Sequence, residues 1–395
     1  MTVENFDFAK LIHPLDPATF FSEYWEQRPL IVSRKAPNYY SDLFSIKALD
    51  SVLFFSRPKP PEIKVVANQQ ELLPDRYIKP DGSLNLNQLY KVYYEGHTLI
   101  VNGLQQFWKP LAIFCCNLQN FLNHAVVANT YLSPKDSKGL MPHFDTHDVF
   151  VLQVGGAKRW YIHEAFQPVP LLGSFQPVIP EEKLGKPLHE VYLEAGDLLY
   201  IPRGFIHHAA TAESSSLHLT IGIYPVQWFD LIVNALTAVS MKDECFRKAL
   251  PVGFLDRHEM MAYLKDQLQE LIQLLSKEAQ VEEAVELLAE HFIRQITPVP
   301  DGHFTQVDNV NYIDLDTTVA KRPGMRCRII RQGSSVSIQF PGNTVKGQSH
   351  IEQALCFIAD AAGTFTIRSI PDTLTDDGKV VLVRRLMRGG LLRVV

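Results

Sequence analysis

The chain has 395 residues, more than one hydrophobic core usually organises, so two or three domains are expected. Hydrophobic residues make up 46% and charged residues 21%, as in a soluble globular protein, and the net charge of −5 argues against a chain-wide nucleic-acid surface. There is no signal-peptide pattern or membrane-length apolar stretch, and the 5 cysteines lack C-x-x-C spacing, which predicts a cytoplasmic protein with reduced thiols.

From the N-terminus, residues 16–27 carry apolar side chains at helical spacing, with Asp16 as N-cap and Pro17 at the first helical position. Pro29 ends that helix and Leu30–Val32 reads as a strand. Ser45–Phe55 reads as a helix stopped by the prolines at 58–61, Ile63–Ala67 as a strand, and 75–83 as a loop and turn. Helices follow over Leu86–Tyr94 and Phe107–His124, with a strand from Thr98 between them. Cys115 and Cys116 fall within the apolar pattern of the second and read as packing residues.

Strands dominate from Val126 to Tyr224, which predicts an antiparallel barrel of short strands. Along Ala125–Ser133, alternation puts Asn129, Tyr131 and Ser133 on one face, where Asn129 and Tyr131 can hydrogen-bond a small anion. The turn-rich segment 133–139 reads as either a pocket rim or a solvated hairpin. His143-Phe144-Asp145 follows, and on a strand its histidine and carboxylate project the same way. A second histidine on that face would complete two imidazoles and one carboxylate, the donor set of non-haem Fe(II) oxygenases. His207 and His208 are adjacent, so only one joins comfortably. The register Gly196, Pro202, Gly204, His207 fits the second cupin-barrel motif, G-x5-P-x-G-x2-H, and points to His207, leaving His208 to face outward or to stand behind the ligands. Lys158 follows the Gly155-Gly156 turn, and alternation sends it and Arg159 to opposite sides.

The segment 165–186 is rich in Pro, Gly and charge, without periodicity, and is placed to cross the barrel mouth. After Pro225, Trp228–Met241 and Glu259–Gln295 read as helices, the second long, amphipathic and broken near Gln280. Residues 298–302 form a linker. The tail, 303–395, predicts strands at Met325–Arg331 and Ser335–Phe340 and a helix over Ser349–Ala361. A strand at Thr364–Ile370, a helix over Asp372–Met387 and a last strand at Leu391–Val395 complete it. Arginines cluster at 322, 326, 328 and 331, and again at 384, 385, 388 and 393. They suit a solvated protein-interaction face better than nucleic acid, although a nucleic-acid contact is the other option.

The metal motif, the "F…YW…RPL" run at 17–34, Asn129-Thr-Tyr131-Leu-Ser-Pro134 and Asp148-Val-Phe-Val-Leu-Gln together resemble the JmjC-type ribosomal oxygenases, or cupin-4 group. The resemblance covers residues 6–230 well and the rest by layout only. It implies an α+β protein: a double-stranded β-helix (JmjC/cupin jelly roll) over 1–230, a helical dimerisation domain over 231–298 and a winged-helix-like domain over 303–395. It implies an Fe(II)- and 2-oxoglutarate-dependent dioxygenase, with His143, Asp145 and His207 as metal ligands and catalytic centre. Lys158, two positions before Trp160, would take the distal carboxylate of 2-oxoglutarate, near Asn129 or Tyr131. His218 matches a polar position near the metal. The implied substrate is a His or Arg side chain of a ribosomal protein, hydroxylated by a homodimer. The reading from another class is a non-catalytic metal-binding cupin that serves as a protein or nucleic-acid interaction module.

Overall fold

The computed structural model describes residues 6–67, 70–177, 179–211, 213–256 and 260–395. The chain divides into two compact units, Met1–Pro225 and Val226–Val395.

Caps set the first helices. Asp7 accepts from the Lys10 amide at the start of α1 (Phe8–Ile12), and Asp16 accepts from the Thr19 amide at 3.0 Å at the start of α2 (Pro17–Glu23). The expected helix over 16–27 stops at Glu23, and Glu26 enters the left-handed region with φ 60°. β1 (Leu30–Val32) follows, then α3 (Ile46–Ser51), N-capped by Ser45 and continued by a π turn over Val52–Ser56. β2 (Ile63–Ala67), β3 (Gln70–Glu71), α4 (Leu86–Tyr94), β4 (Thr98–Val101) and α5 (Lys109–Leu122) come next. The strands β5 (Ala125–Ser133), β6 (Asp148–Ala165), β7 (His189–Glu194), β8 (Leu198–Ile201), β9 (Phe205–Ala210) and β10 (Ser216–Tyr224) complete the unit.

These strands pair antiparallel in the order β1-β8-β6-β10-β5-β4-β2-β3, and β7 and β9 also pair with β6. β6 belongs to two sheets. Its first part pairs with β8 and β10, and its second part, from Ala157, pairs with β7 and β9. The crossing falls at Gly155-Gly156, where Gly156 has φ +63° and lies against the Ser215 carbonyl, with no room for a Cβ. The fold is therefore the expected double-stranded β-helix. On the larger sheet, Leu217, Leu219, Ile221 and Ile223 of β10 join Phe150 and Leu152 of β6 against Phe8, Phe20, Leu111 and Phe114 of the helices. The opposite face is left for a cavity between the two sheets. Tight packing at one turn gives a testable consequence. Gly204 has φ +88°, and a Cβ there would overlap the Gln167 carbonyl oxygen. Gly204→Ala should cost about 2–5 kcal/mol in chemical denaturation, the sum of left-handed strain and overpacking.

The second unit begins with α6 (Trp228–Lys242), α7 (Met260–Glu278) and α8 (Val281–Gln295). The expected break falls at Ala279-Gln280, and Glu259, the expected start of the long pattern, lies outside the described residues. α9 (His303–Asp308), β11 (Thr318–Lys321), β12 (Arg328–Gln332), β13 (Ser335–Phe340), β14 (Asn343–Gln348), α10 (Glu352–Asp360), β15 (Phe365–Thr366), α11 (Asp376–Arg388) and β16 (Leu392–Val394) follow. They form two three-stranded sheets, β15-β11-β16 and β12-β13-β14. Three expectations are corrected. The strand at Met325–Arg331 begins only at Arg328, because residues 322–325 make a turn closed by the Met325 amide on the Arg322 carbonyl. The strand at Thr364–Ile370 shortens to Phe365–Thr366 before a 3-10 turn, and the helix expected from Asp372 starts at Asp376, where Thr375 caps it. The arginines are largely engaged within the unit. Arg322 pairs with Asp301 at 2.8 Å, Arg328 with Glu286 and Glu290, and Arg331 with Glu352, while Arg384 and Arg388 bond Asn311. Among the described residues no helix is long and apolar enough to cross a membrane, and no disulfide joins the cysteines.

Candidate metal centre and cavity

His143 and Asp145 do not lie on a regular strand, contrary to expectation. The ladder between β6 and β8 ends at Val149↔Ile201, and His143 makes only an isolated antiparallel bridge to His207. The alternation nevertheless holds. Phe144 is buried and stacked on Phe166, with ring centroids 5.5 Å apart, so its neighbours face the cavity. His207 comes in from β9. The ligating atoms of His143, Asp145 and His207 lie within 4.8 Å of one another, and His207 Nε2 is 3.5 Å from Asp145 Oδ2.

Each histidine is held in one tautomer. His143 Nδ1 lies 2.7 Å from the Met141 carbonyl oxygen and His207 Nδ1 3.0 Å from that of Phe205. A carbonyl only accepts, so each Nδ1 donates and each Nε2 keeps a bare lone pair, as a metal requires. Burial, helped by His143, pulls the His207 pKa down to about 4 and keeps the ring neutral. Burial alone would raise the Asp145 carboxyl, but His207 and His143 beside it hold it below its ordinary value. His208 faces the other way, stacked on Tyr161 with its Nε2 3.3 Å from that of His163.

The cavity holds about 250 Å³ and is lined by both sheets. Lys158 is only 3% exposed, and its Nζ donates to Ser133 Oγ at 3.1 Å. No carboxylate pairs with it among the described residues, and burial lowers its pKa to about 8. A buried ammonium without a counterion is costly, and it marks a place for an anion. Around it stand further polar groups without partners in the protein. His218 stacks on Tyr131 (4.8 Å, 2°), its Nδ1 has no hydrogen-bond partner, and burial followed by the Lys158 charge keeps it neutral. Trp160 Nε1 is likewise buried without a partner. Tyr131 also lines the cavity, with its hydroxyl hydrogen-bonded to Thr220, and burial raises its pKa. Asn129 also lines it, but its side-chain oxygen accepts from the Gly103 amide at 3.0 Å, which leaves its amino group for a ligand. The segment 133–139 is a rim, bonded to β9 through Gly139 and Ala209.

The structure therefore brings all the expected site residues to one cavity. It adds Thr98, His147, Trp160 and Thr220, which the motif reading had not assigned. His147 continues the alternation beyond Asp145 and stacks on Tyr224 at 4.4 Å, so H-x-D-x-H was the available signal. Thr98 and Thr220 come from β4 and β10 and meet the site only through sheet register.

A sheet folded over on itself, with two histidines and an aspartate at one side of the cavity, defines the JmjC/cupin scaffold. The family model for the JmjC domain matches residues 104–231. The bifunctional lysine-specific demethylase and histidyl-hydroxylase NO66 of Aedes aegypti is 31% identical over 311 residues, covering 74% of this chain and 48% of that protein. Ribosomal oxygenase 2 of Rattus norvegicus is 32% identical over 312 residues, covering 73% of this chain and 64% of that protein. The chain thus spans about half to two thirds of the length of these curated relatives. The crystal structure of the Escherichia coli ribosomal oxygenase YcfD shares the fold, with a TM-score of 0.56 and 18% identity over 96% of this chain and 98% of that one. Residues 104–231 thus match a JmjC domain, and the chain is a homologue of the proteins named NO66 and ribosomal oxygenase 2.

Proposed function

We propose that the chain is an Fe(II)- and 2-oxoglutarate-dependent oxygenase that hydroxylates a protein side chain. The observation that carries this reading is the pairing of a His-Asp-His donor set with a buried, counterion-free lysine across one cavity. The residues fit both groups. His143, Asp145 and His207 would hold the metal on one face, and Lys158 would take the distal carboxylate of the keto acid. When bound, Fe(II) and 2-oxoglutarate supply O2-driven decarboxylation to succinate and transfer of one oxygen atom to a substrate C–H bond. The Met141 and Phe205 carbonyls fix the ring orientations, and Tyr131, His218 and Asn129 supply polar contacts along the ligand's length. Val149, Val151 and Trp160 keep that end of the cavity dry.

The names of the relatives support a ribosomal protein as substrate and histidine as the target, and arginine rests on the family resemblance alone. The domain reading is a catalytic part over 1–230, a helical part over 231–298 that pairs two copies, and a winged-helix-like part over 303–395. Trp228, Phe229, Ile232, Val233 and Leu236 share one face of α6, and Trp228 is 81% exposed, which supports a homodimer. Trp228→Glu should then shift the sedimentation coefficient from dimer to monomer. The intramolecular partners of the arginines favour a protein-contact role for the tail over nucleic acid. The reading includes a cytoplasmic location, which the free cysteines support.

The test is an anaerobic titration of metal-free protein with Fe(II) and then 2-oxoglutarate, following the visible charge-transfer band of a chelated keto acid. A band present in the wild type and absent in His207→Ala is expected. Metal binding without any band would leave the non-catalytic cupin reading in its place.

A further inference from the structure

The regular ladder stops where the metal ligands begin. Between the Val149↔Ile201 pair and the isolated His143↔His207 bridge, residues 144–148 face 202–206 without strand pairing. Pro202 has no amide hydrogen to give, and the Gly204 amide donates to the Asp145 carbonyl at 2.9 Å. The gap is spanned by charge. Asp148, three residues after Asp145, is 0% exposed, and Arg203, four residues before His207, is 5% exposed. Arg203 Nη1 donates to Asp148 Oδ2 at 2.8 Å, and the Arg203 amide donates to Asp148 Oδ1 at 3.3 Å. Tyr200 OH donates to the same Oδ1 at 2.9 Å. The other end of the guanidinium pairs with Glu26 at 2.6 Å, and the Glu26 amide donates to Tyr200 OH at 3.0 Å.

We infer that Asp148 and Arg203, completed by Tyr200 and Glu26, are positioning residues that hold the Asp145 and His207 segments at ligand spacing. The inference rests on the metal-site reading above. A buried ion pair is seldom the most stabilising solution, since apolar side chains of similar volume often serve as well or better. What the pair supplies here is a fixed, forked geometry across the break in the ladder between β6 and the ligand bridge. Glu26 is presented from the left-handed turn after α2, so the N-terminal segment completes the clamp without touching the cavity.

The experiment is titration of metal-free full-length protein with Co(II), reading affinity and the d–d spectrum, alongside a thermal melt. Arg203→Lys and Asp148→Asn should bind about 10-fold more weakly, the lower end of what loss of a group that orients a metal ligand costs. The double variant Asp148→Leu/Arg203→Met separates positioning from stability. Its melting temperature should recover above those of the single variants, while its Co(II) affinity stays low and its spectrum stays altered. A folded double variant that binds Co(II) as tightly as the wild type, with the same spectrum, would overturn the inference. If the double variant does not fold, Glu26→Gln decides. It sits at the solvent side of the clamp and should keep its melting temperature yet bind more weakly, and unchanged binding would overturn the inference. A wild type that fails to bind Co(II) would sink the metal-site reading and the clamp together, whereas wild-type binding matched by every variant sinks the clamp alone.

Discussion

Lys158→Met is expected to make the metal-free protein more stable and to weaken 2-oxoglutarate binding by at least an order of magnitude. Burial takes the ammonium from its ordinary 10.5 to about 8, and that gap corresponds to about 3 kcal/mol borne by the folded state. The unfolded chain holds this proton up to about pH 10.5 and the folded chain only to about 8. Between those values the unfolded state binds more protons, so stability rises with pH. The penalty is full below about pH 8 and gone above about 10.5, and methionine removes it throughout. Urea denaturation of wild type and variant at pH 7 and pH 10 reads this directly, and the gain should shrink at the higher pH. Ligand binding runs the other way. An anion needs the ammonium, so the wild-type Kd for 2-oxoglutarate should rise above about pH 8, and in the variant it should rise about 30-fold to several-thousand-fold, as when a buried charge pair loses one partner. A variant neither stabilised nor impaired in binding would show that Lys158 already has a counterion.

Asp145→Ala should remove metal binding almost entirely. Losing an outer partner of a ligand costs about 10–100-fold in affinity, so losing the only carboxylate of the set should exceed ~100-fold. Isothermal titration with Fe(II) under argon measures it. The fold should survive, because the Gly204 amide bonds the Asp145 backbone carbonyl and not its side chain. The same variant should lose turnover in proportion, and retained tight Fe(II) binding would move the metal elsewhere.

The centre of this site was legible because its spacing is local. H-x-D brings two donors to one face even without a regular strand, and the choice of His207 over His208 followed from the glycine and proline register before it. Lys158 was legible for a similar reason, since alternation after the Gly-Gly turn sends it inward and Arg159 outward. Ser133 was placed on the right face, but its bond to Lys158 was not foreseeable. It depends on β5 and the second half of β6 meeting across the cavity. Asp148 and Arg203 were hidden for the opposite reason. Each looks like an ordinary charge at a strand end until the fold buries both. In the tail, β11 went unseen because its partners, β15 and β16, lie far along the chain. β14 is mostly polar and exposed, and leaves little periodic signal.

β6 is 18 residues long and runs from Asp148, beside the metal ligands, to the far side of Lys158. The two ends of a bound dicarboxylate would thus be read against points on one continuous piece of backbone. The interval is set along β6 through the corner at Gly155-Gly156, where the strand passes from one sheet to the other. The strand works as a caliper. Diacids one carbon shorter or longer than 2-oxoglutarate should span the wrong gap, and oxaloacetate and 2-oxoadipate should displace it poorly in competition.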